Sequence, residues 1–176
     1  MTESPIVKGL KEGKLMVVYE EDDIVVFLDP APVTPGHMVV APKDHYTIVE
    51  EVPDWLMGRM GEIANKASTA AFETLGAKGT NILIHNGTPA GQELNHLTIN
   101  VIPRFDNDGL NFMWQPKQLT EEEMSTVELT LKQETELIGQ FETKKPAVTQ
   151  EAPVEETAEE TDDSENYMLK QITRIP

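Results

Sequence analysis

The chain predicts an α+β domain, an antiparallel five-stranded sheet with two main helices, followed by a disordered acidic C-terminal tail. Three observations carry this expectation. Short β-branched runs are joined by tight turns, as in hairpins. Two long stretches place apolar residues at helical spacing. The elements follow the order strand, strand, strand, helix, strand, strand, helix, rather than alternating strand and helix, which favours antiparallel pairing.

"LMVVYEEDDIVVFLD", Leu15 to Asp29, reads as two strands around the acidic turn Glu20–Asp23. "PAPVTPG" interrupts regular structure with three prolines and a glycine, and "HMVVAP" resumes as a strand. Asp54 after Pro53 has the character of an N-cap for a helix from Trp55 to about Leu75. Leu56, Met60, Ile63, Ala67, Ala71 and Leu75 lie on one face of that helix, and Gly76 stops it. "TNILIHN" is a strand, "GTPAGQE" a tight loop and "NHLTINVIPR" a further strand. Thr120 and Glu123 form a capping box for the last helix, with Leu119 and Met124 spaced for a hydrophobic staple. Val127, Leu131, Ile138 and Phe141 continue its stripe.

After Glu142 the composition turns to Glu, Thr and Pro, too poor in large apolar residues to offset the entropy of ordering. This divides the chain into a domain at 1–142, an acidic disordered linker at 143–165 and a short segment at 166–176. The last, "NYMLKQITRIP", is apolar and basic with no acid, as in a docking motif on a flexible tether or a strand folded back on its domain. Residues 143–176 hold four bases against eight acids, leaving −13 of the net −17 in the folded part.

That acidity argues against nucleic-acid binding through a basic face and against anionic lipid. With no cysteine, disulfides and thiolate metal sites are excluded. The start "MTESPIVKGLKEGK" lacks the apolar run of a signal peptide, and no run of 18 apolar residues exists. A soluble cytoplasmic protein without membrane contact is the expectation.

Candidate site residues cluster around "GQELNHLTINVIPR", Gly91 to Arg104. His96, Thr98 and Asn100 alternate with Leu97, Ile99 and Val101, so a half-buried strand would present an imidazole, a hydroxyl and a carboxamide on its second face. Just before it, Gly87, Ala90 and Gly91 permit close backbone approach, and Gln92 adds amide donors, a composition suited to phosphate. His37 and His85 also sit beside glycine turns, whereas His45 is expected to be a satisfied, partly buried side chain. The histidines are too scattered for a zinc site, so neither metal nor cofactor is expected.

Two stretches, "FLDPAPVTPGHMVVAPKDHY" and "NILIHNGTPAGQELNHLTINVIPR", make the segment from Leu15 to Asp108 resemble the histidine triad (HIT) superfamily of nucleotide-binding proteins, which includes hydrolases and transferases. The family pattern is Gly-Gln-Glu, a few residues, then His-x-His-x-His. The resemblance implies that His96 keeps the first histidine, that Thr98 stands where the nucleophile for the α-phosphate belongs, and that Asn100 replaces the third. It further implies ribose recognition by Asp29, a base pocket flanked by Phe27 and Leu28, a place beside the triad for His37, and phosphate contact by Gly91, Gln92 and Glu93. His85 departs from the usual asparagine, and "SPIVK" stands where some members carry zinc-binding cysteines.

Imidazole attacks phosphorus as a neutral base, whereas a hydroxyl needs a placed base to deprotonate it, and its phosphodiester would turn over poorly. The expected function is therefore a non-catalytic nucleotide-binding or dimeric scaffold protein. Its expected partners are a purine nucleotide such as AMP or GMP and a protein bound by 166–176. The alternatives are an active nucleotidyl hydrolase or transferase using a rearranged site, and an interaction protein that binds no nucleotide. The resemblance also implies a homodimer continuing the sheet, with the apolar stripe of the Trp55–Leu75 helix, taken as exposed, at its interface.

Overall fold

A computed structural model describes residues 4–133 and Thr135. Helix α1 spans Pro5–Lys11, followed by strands β1 (Met16–Glu20), β2 (Ile24–Leu28) and β3 (Met38–Pro42). Helix α2 (Asp54–Leu75), strands β4 (Gly79–Ile84) and β5 (Ile99–Arg104), and helix α3 (Glu121–Gln133) complete the order. The strands form one sheet in the order β1-β2-β3-β5-β4, every neighbouring pair antiparallel. The predicted α+β class and five-stranded sheet are both present, with one helix more than the two expected.

That extra helix has a readable local cause. Ser4 caps it, its hydroxyl accepting from the Ile6 N–H at 3.2 Å, and Pro5 occupies the first turn, where its missing N–H costs nothing. Ile6 is buried and Leu10 packs beside it, so a single turn-spaced pair holds α1 on the sheet.

Strand alternation divides the core in two. Ile24, Val26, Met38, Val40, Ile99 and Val101 face Leu56, Met60, Ile63, Ala64 and Ala71 of α2. Val25, Phe27, Val39 and Ala41 face the other way, under Ile6. Apart from Leu75, which is half-exposed, the α2 stripe is thus packed into the chain's own core and is not the exposed surface expected. Residue by residue, such burial is worth about 1.5–3 kcal/mol for a large aliphatic side chain.

Pro53 rather than Asp54 occupies the N-cap of α2, without a side-chain cap bond, and Gly76 ends the helix at φ 68°. The capping box of α3 is formed, Glu123 N–H donating to Thr120 Oγ1 at 3.2 Å and Thr120 N–H to Glu123 Oε2 at 2.8 Å. No residue of α3 is buried, and Leu119, Met124, Val127 and Leu131 are all exposed. Ile138 and Phe141, the linker at 143–165 and the segment at 166–176 lie outside the described residues. Among the described residues no helix is long and apolar enough to cross a membrane.

Candidate functional site

The register of the sheet builds the site. Leu83 on β4 pairs with Asn100 on β5, Asn100 with Val39 on β3, and Val39 with Phe27 on β2. One row of side chains therefore crosses four strands on the face away from α2. It lies in a cavity of about 510 Å³, a size suited to a small ligand. Asp29, His37, His85, Gly91, Gln92, Glu93, His96 and Thr98 complete the polar part of its lining.

Ten of the eleven residues singled out in the sequence meet there. Leu28 does not: it alternates with Phe27 on β2 and takes the face of Val26, toward α2. β5 begins at Ile99, so His96 and Thr98 precede the ladder. The backbone there is anchored elsewhere, the Leu97 N–H donating to the Tyr46 carbonyl at 2.7 Å, and both side chains still reach the cavity.

The loop between β2 and β3 carries Asp29 and His37. Asp29 Oδ1 accepts from the Ala31 N–H at 2.7 Å, fixing the turn, and Asp29 N–H donates to the His37 carbonyl at 3.0 Å. Thr34 ties the loop to β5 by donating to the Pro103 carbonyl at 2.8 Å. Gly36, at φ 79°, lies so close to the end of α2 that an added Cβ would meet Leu75 Cδ1 at 2.2 Å. The left-handed conformation is what disfavours a side chain there, since the half-exposed Leu75 side chain could turn away from an added Cβ.

His37 is buried, with Nε2 3.1 Å from Asn100 Oδ1 and Nδ1 3.8 Å from Asp29 Oδ2. The carbonyl of Asn100 thus accepts from the imidazole, and its NH2 has no partner among the described residues. His96 is more deeply buried. Its Nε2–H donates to the Pro42 carbonyl at 2.9 Å, and Nδ1 has no hydrogen-bond partner among the described residues. Burial holds its pKa below the ordinary imidazole range despite that bond, so it is neutral near pH 7. His45, 5.5 Å away ring to ring, is exposed rather than partly buried, with Nε2 2.6 Å from the Asn95 carbonyl.

The glycine-rich loop is built differently from the expected anion cradle. Its turn is a short 3-10 segment, Thr88–Ala90. The N–H groups of Ala90 and Gln92 both donate to the Gly87 carbonyl, and that of Gly91 donates to Thr88. Gln92 Oε1 accepts from the Gly87 N–H at 2.7 Å, while its amide donates to the carbonyls of Thr47 and Leu94. Gln92 is therefore a staple that closes the loop, with its donors already used. His85 Nδ1–H donates to the Ala90 carbonyl at 2.8 Å, packing against Gly91.

Sequence reasoning missed the apolar lining from distant segments, including Ile6, Leu15, Val33, Leu83, Leu94 and Phe112. Phe112 is placed by Arg104, whose guanidinium lies 5.2 Å from the ring centroid. Arg104 is itself held by Asp108 at 2.6 and 2.9 Å, Asn81 at 2.7 Å and the Leu110 carbonyl at 2.6 Å. Hydrogen bonding to Arg104 keeps the Asp108 carboxyl well below the usual carboxylate range. No Lys or Arg among the described residues lines the cavity. Among the described residues no group of three or more His, Asp or Glu side chains is placed to hold a metal ion.

A HIT domain model matches residues 11–107. The chain is 40% identical over 98 residues to an uncharacterised HIT-like protein of Methanocaldococcus jannaschii, covering 53% of this chain and 71% of that one. It is 34% identical over 105 residues to an adenylylsulfatase of Arabidopsis thaliana, covering 60% of this chain and 52% of the relative. Among solved structures, a HIT family member from Bacillus subtilis superposes with a TM-score of 0.68 at 27% identity, over 76% of this chain and 97% of that one.

Proposed function

The chain belongs to the HIT domain family, and on that premise we propose that it is a non-catalytic, nucleotide-binding member whose nucleophile has been replaced. One observation carries the proposal. Asp29, His37, His96, Thr98 and Asn100 line a single cavity, and the place that the family pattern gives to the attacking imidazole holds a threonine hydroxyl. A ribose diol set against Asp29 Oδ2 would place a purine among Phe27, Ile6 and Leu15, with its 5′ end toward Thr98. No described group is hydrogen-bonded to Thr98 Oγ1 to act as its base, so the hydroxyl is not activated as it stands. Titration with AMP and GMP, with a turnover assay on adenosine phosphoramidate in the same sample, tests the proposal: binding without turnover is expected.

The reading of an active hydrolase or transferase with a rearranged site draws on one relative, the 34%-identical protein named an adenylylsulfatase, and on the unpartnered Nδ1 of His96 as a candidate base. Turnover by the natural protein that vanishes in Thr98→Ala would favour it.

The same proposal includes a homodimer, a cytoplasmic location and docking of a protein partner through 166–176. The dimer draws support from β4, an edge strand with exposed Ile82 and Ile84, and from the exposed apolar residues of α3. Edges of this kind invite pairing with another strand.

A further inference from the structure

We infer that the cavity has a second apolar end, and that its ligand is a nucleoside 5′-phosphate esterified with an aryl or similar apolar group. The inference rests on the nucleotide-site reading above and narrows its ligand class. The sheet register divides the lining. Polar side chains cross it obliquely: Asp29 and His37 beside the ends of β2 and β3, then Asn100 and Thr98 at β5. His37 Nε2 joins the two halves of that diagonal, 3.1 Å from Asn100 Oδ1. On one side lie Phe27 and Val39, with Ile6 and Leu15 packed against them, the end that takes the base in the reading above. On the other side the strands turn apolar again. Leu83 is the cross-strand neighbour of Asn100, and Ile102, two residues further along β5, shares the face of Asn100.

Phe112 completes this second end. The chain is brought back over the sheet by the turn at Asp108, whose carboxylate accepts from the N–H groups of Phe105 and Leu110 at 3.2 and 2.9 Å. The Phe112 ring then rests 5.2 Å from the Arg104 guanidinium. Arg104 also donates to Asn81 at 2.7 Å, and Asn81 is the cross-strand neighbour of Ile102, which sets the ring at the Ile102 corner. Leu94 enters from the glycine-rich loop. Leu94 and Phe112 both line the cavity, yet they stay 44% and 39% exposed, so each presents apolar surface that a ligand would cover. A phosphate has a place between the two ends. The N–H groups of Glu93 and Leu94 carry no hydrogen bond among the described residues, and Thr98 and Asn100 add a hydroxyl and an NH2. A phosphate held there would direct any ester substituent onto Leu83, Leu94 and Phe112.

AMP, its methyl ester and its phenyl ester, both esters on the 5′-phosphate, are titrated calorimetrically into the full chain. The two esters carry the same charge, so the ring alone separates them. Covering about 60 Å² of phenyl surface corresponds to about tenfold in affinity, and the phenyl ester should bind more tightly than the methyl ester by that ratio. Phe112→Ala should cut the ratio to about threefold or less. Leu15→Ala, at the other end, should weaken both esters and leave the ratio near tenfold. Because the readout is a ratio within one protein, a general loss of affinity in either variant cancels. Equal binding of the two esters, with AMP also bound, would overturn the inference and leave the nucleotide site standing. A ratio unmoved by Phe112→Ala, or lowered as much by Leu15→Ala, would overturn it too, because the ring would then lie elsewhere. Failure of all three ligands to bind would instead remove the nucleotide-site reading itself, and this inference with it.

Discussion

On the proposed nucleotide-site reading Asp29 has two jobs, and two substitutions separate them. Its Oδ1 holds the turn by accepting from the Ala31 N–H, whereas Oδ2, 3.8 Å from His37 Nδ1, has no hydrogen bond among the described residues and on that reading takes a ribose hydroxyl. Asp29→Ala removes both. A hydrogen bond to a charged acceptor contributes about 1.5–3 kcal/mol, so adenosine affinity should fall about 10- to 150-fold. Loss of the turn bond should add about 1 kcal/mol of destabilisation. Asp29→Asn keeps a carbonyl for Ala31 and loses only the charge. It should melt close to the natural protein while still binding more weakly than it. Calorimetric titration with adenosine, run beside thermal unfolding of both variants, reads the two effects independently. Unchanged affinity in Asp29→Ala would refute the ribose role. Weakened binding in proportion to lost stability, with Asp29→Asn fully normal, would assign Asp29 to the turn alone.

Gly36→Ala should destabilise the fold by about 1–2 kcal/mol in urea unfolding, since it imposes a left-handed conformation on an alanine while the half-exposed Leu75 side chain can move aside. His96 has a folded-state pKa below its ordinary 6.5, so the unfolded chain binds the extra proton. Its stability contribution is complete above pH 6.5 and lost as pH falls toward the folded value, by at most about 1.4 kcal/mol per pH unit. Unfolding at pH 7.5 and 5.5 should show this loss in the natural protein and less of it in His96→Gln. Gln92→Ala should speed amide exchange at Gly87, whose N–H loses its acceptor, and unchanged exchange would mean the loop closes without the staple. Sedimentation at micromolar concentration should give a dimer that Ile82→Glu converts to monomer, and a natural monomer would end the dimer proposal.

Much of this arrangement is legible in the sequence because it depends on local periodicity. The β1–β2 hairpin, the α2 stripe and the capping box at Thr120 each follow from spacing within one turn or one strand. The convergence of Asp29, His37, His96, Thr98 and Asn100 was legible through the resemblance of two stretches to the family pattern. Interactions that join distant segments were not. Gln92 has the composition of a phosphate donor, but its amide is used by Thr47, Leu94 and Gly87, and no local pattern encodes that closure. Arg104 stands at the end of the quoted motif, but its role in holding Phe112 at the cavity depends on how the chain turns at Asp108. Helix α1 had readable signals in Ser4, Pro5 and the Ile6–Leu10 spacing, yet at seven residues its stability comes from the sheet beneath it rather than from propensity. Periodicity identifies the apolar face of α2 without saying what covers it, and in the fold the sheet covers it.

The central claim is that a competent nucleotide cavity lacks turnover because imidazole is missing at positions 98 and 100. The direct measurement is hydrolysis of adenosine phosphoramidate by the natural protein, by Thr98→His and by Thr98→His with Asn100→His. Both positions line the same cavity as His96 and the Gly91–Gln92 loop, so a nucleophile placed there gains from proximity and orientation. No turnover by the natural protein, with measurable turnover by the double variant, is the predicted result. Turnover by the natural protein at a rate unaffected by Thr98→Ala would contradict the claim, because the chemistry would then lie outside the motif.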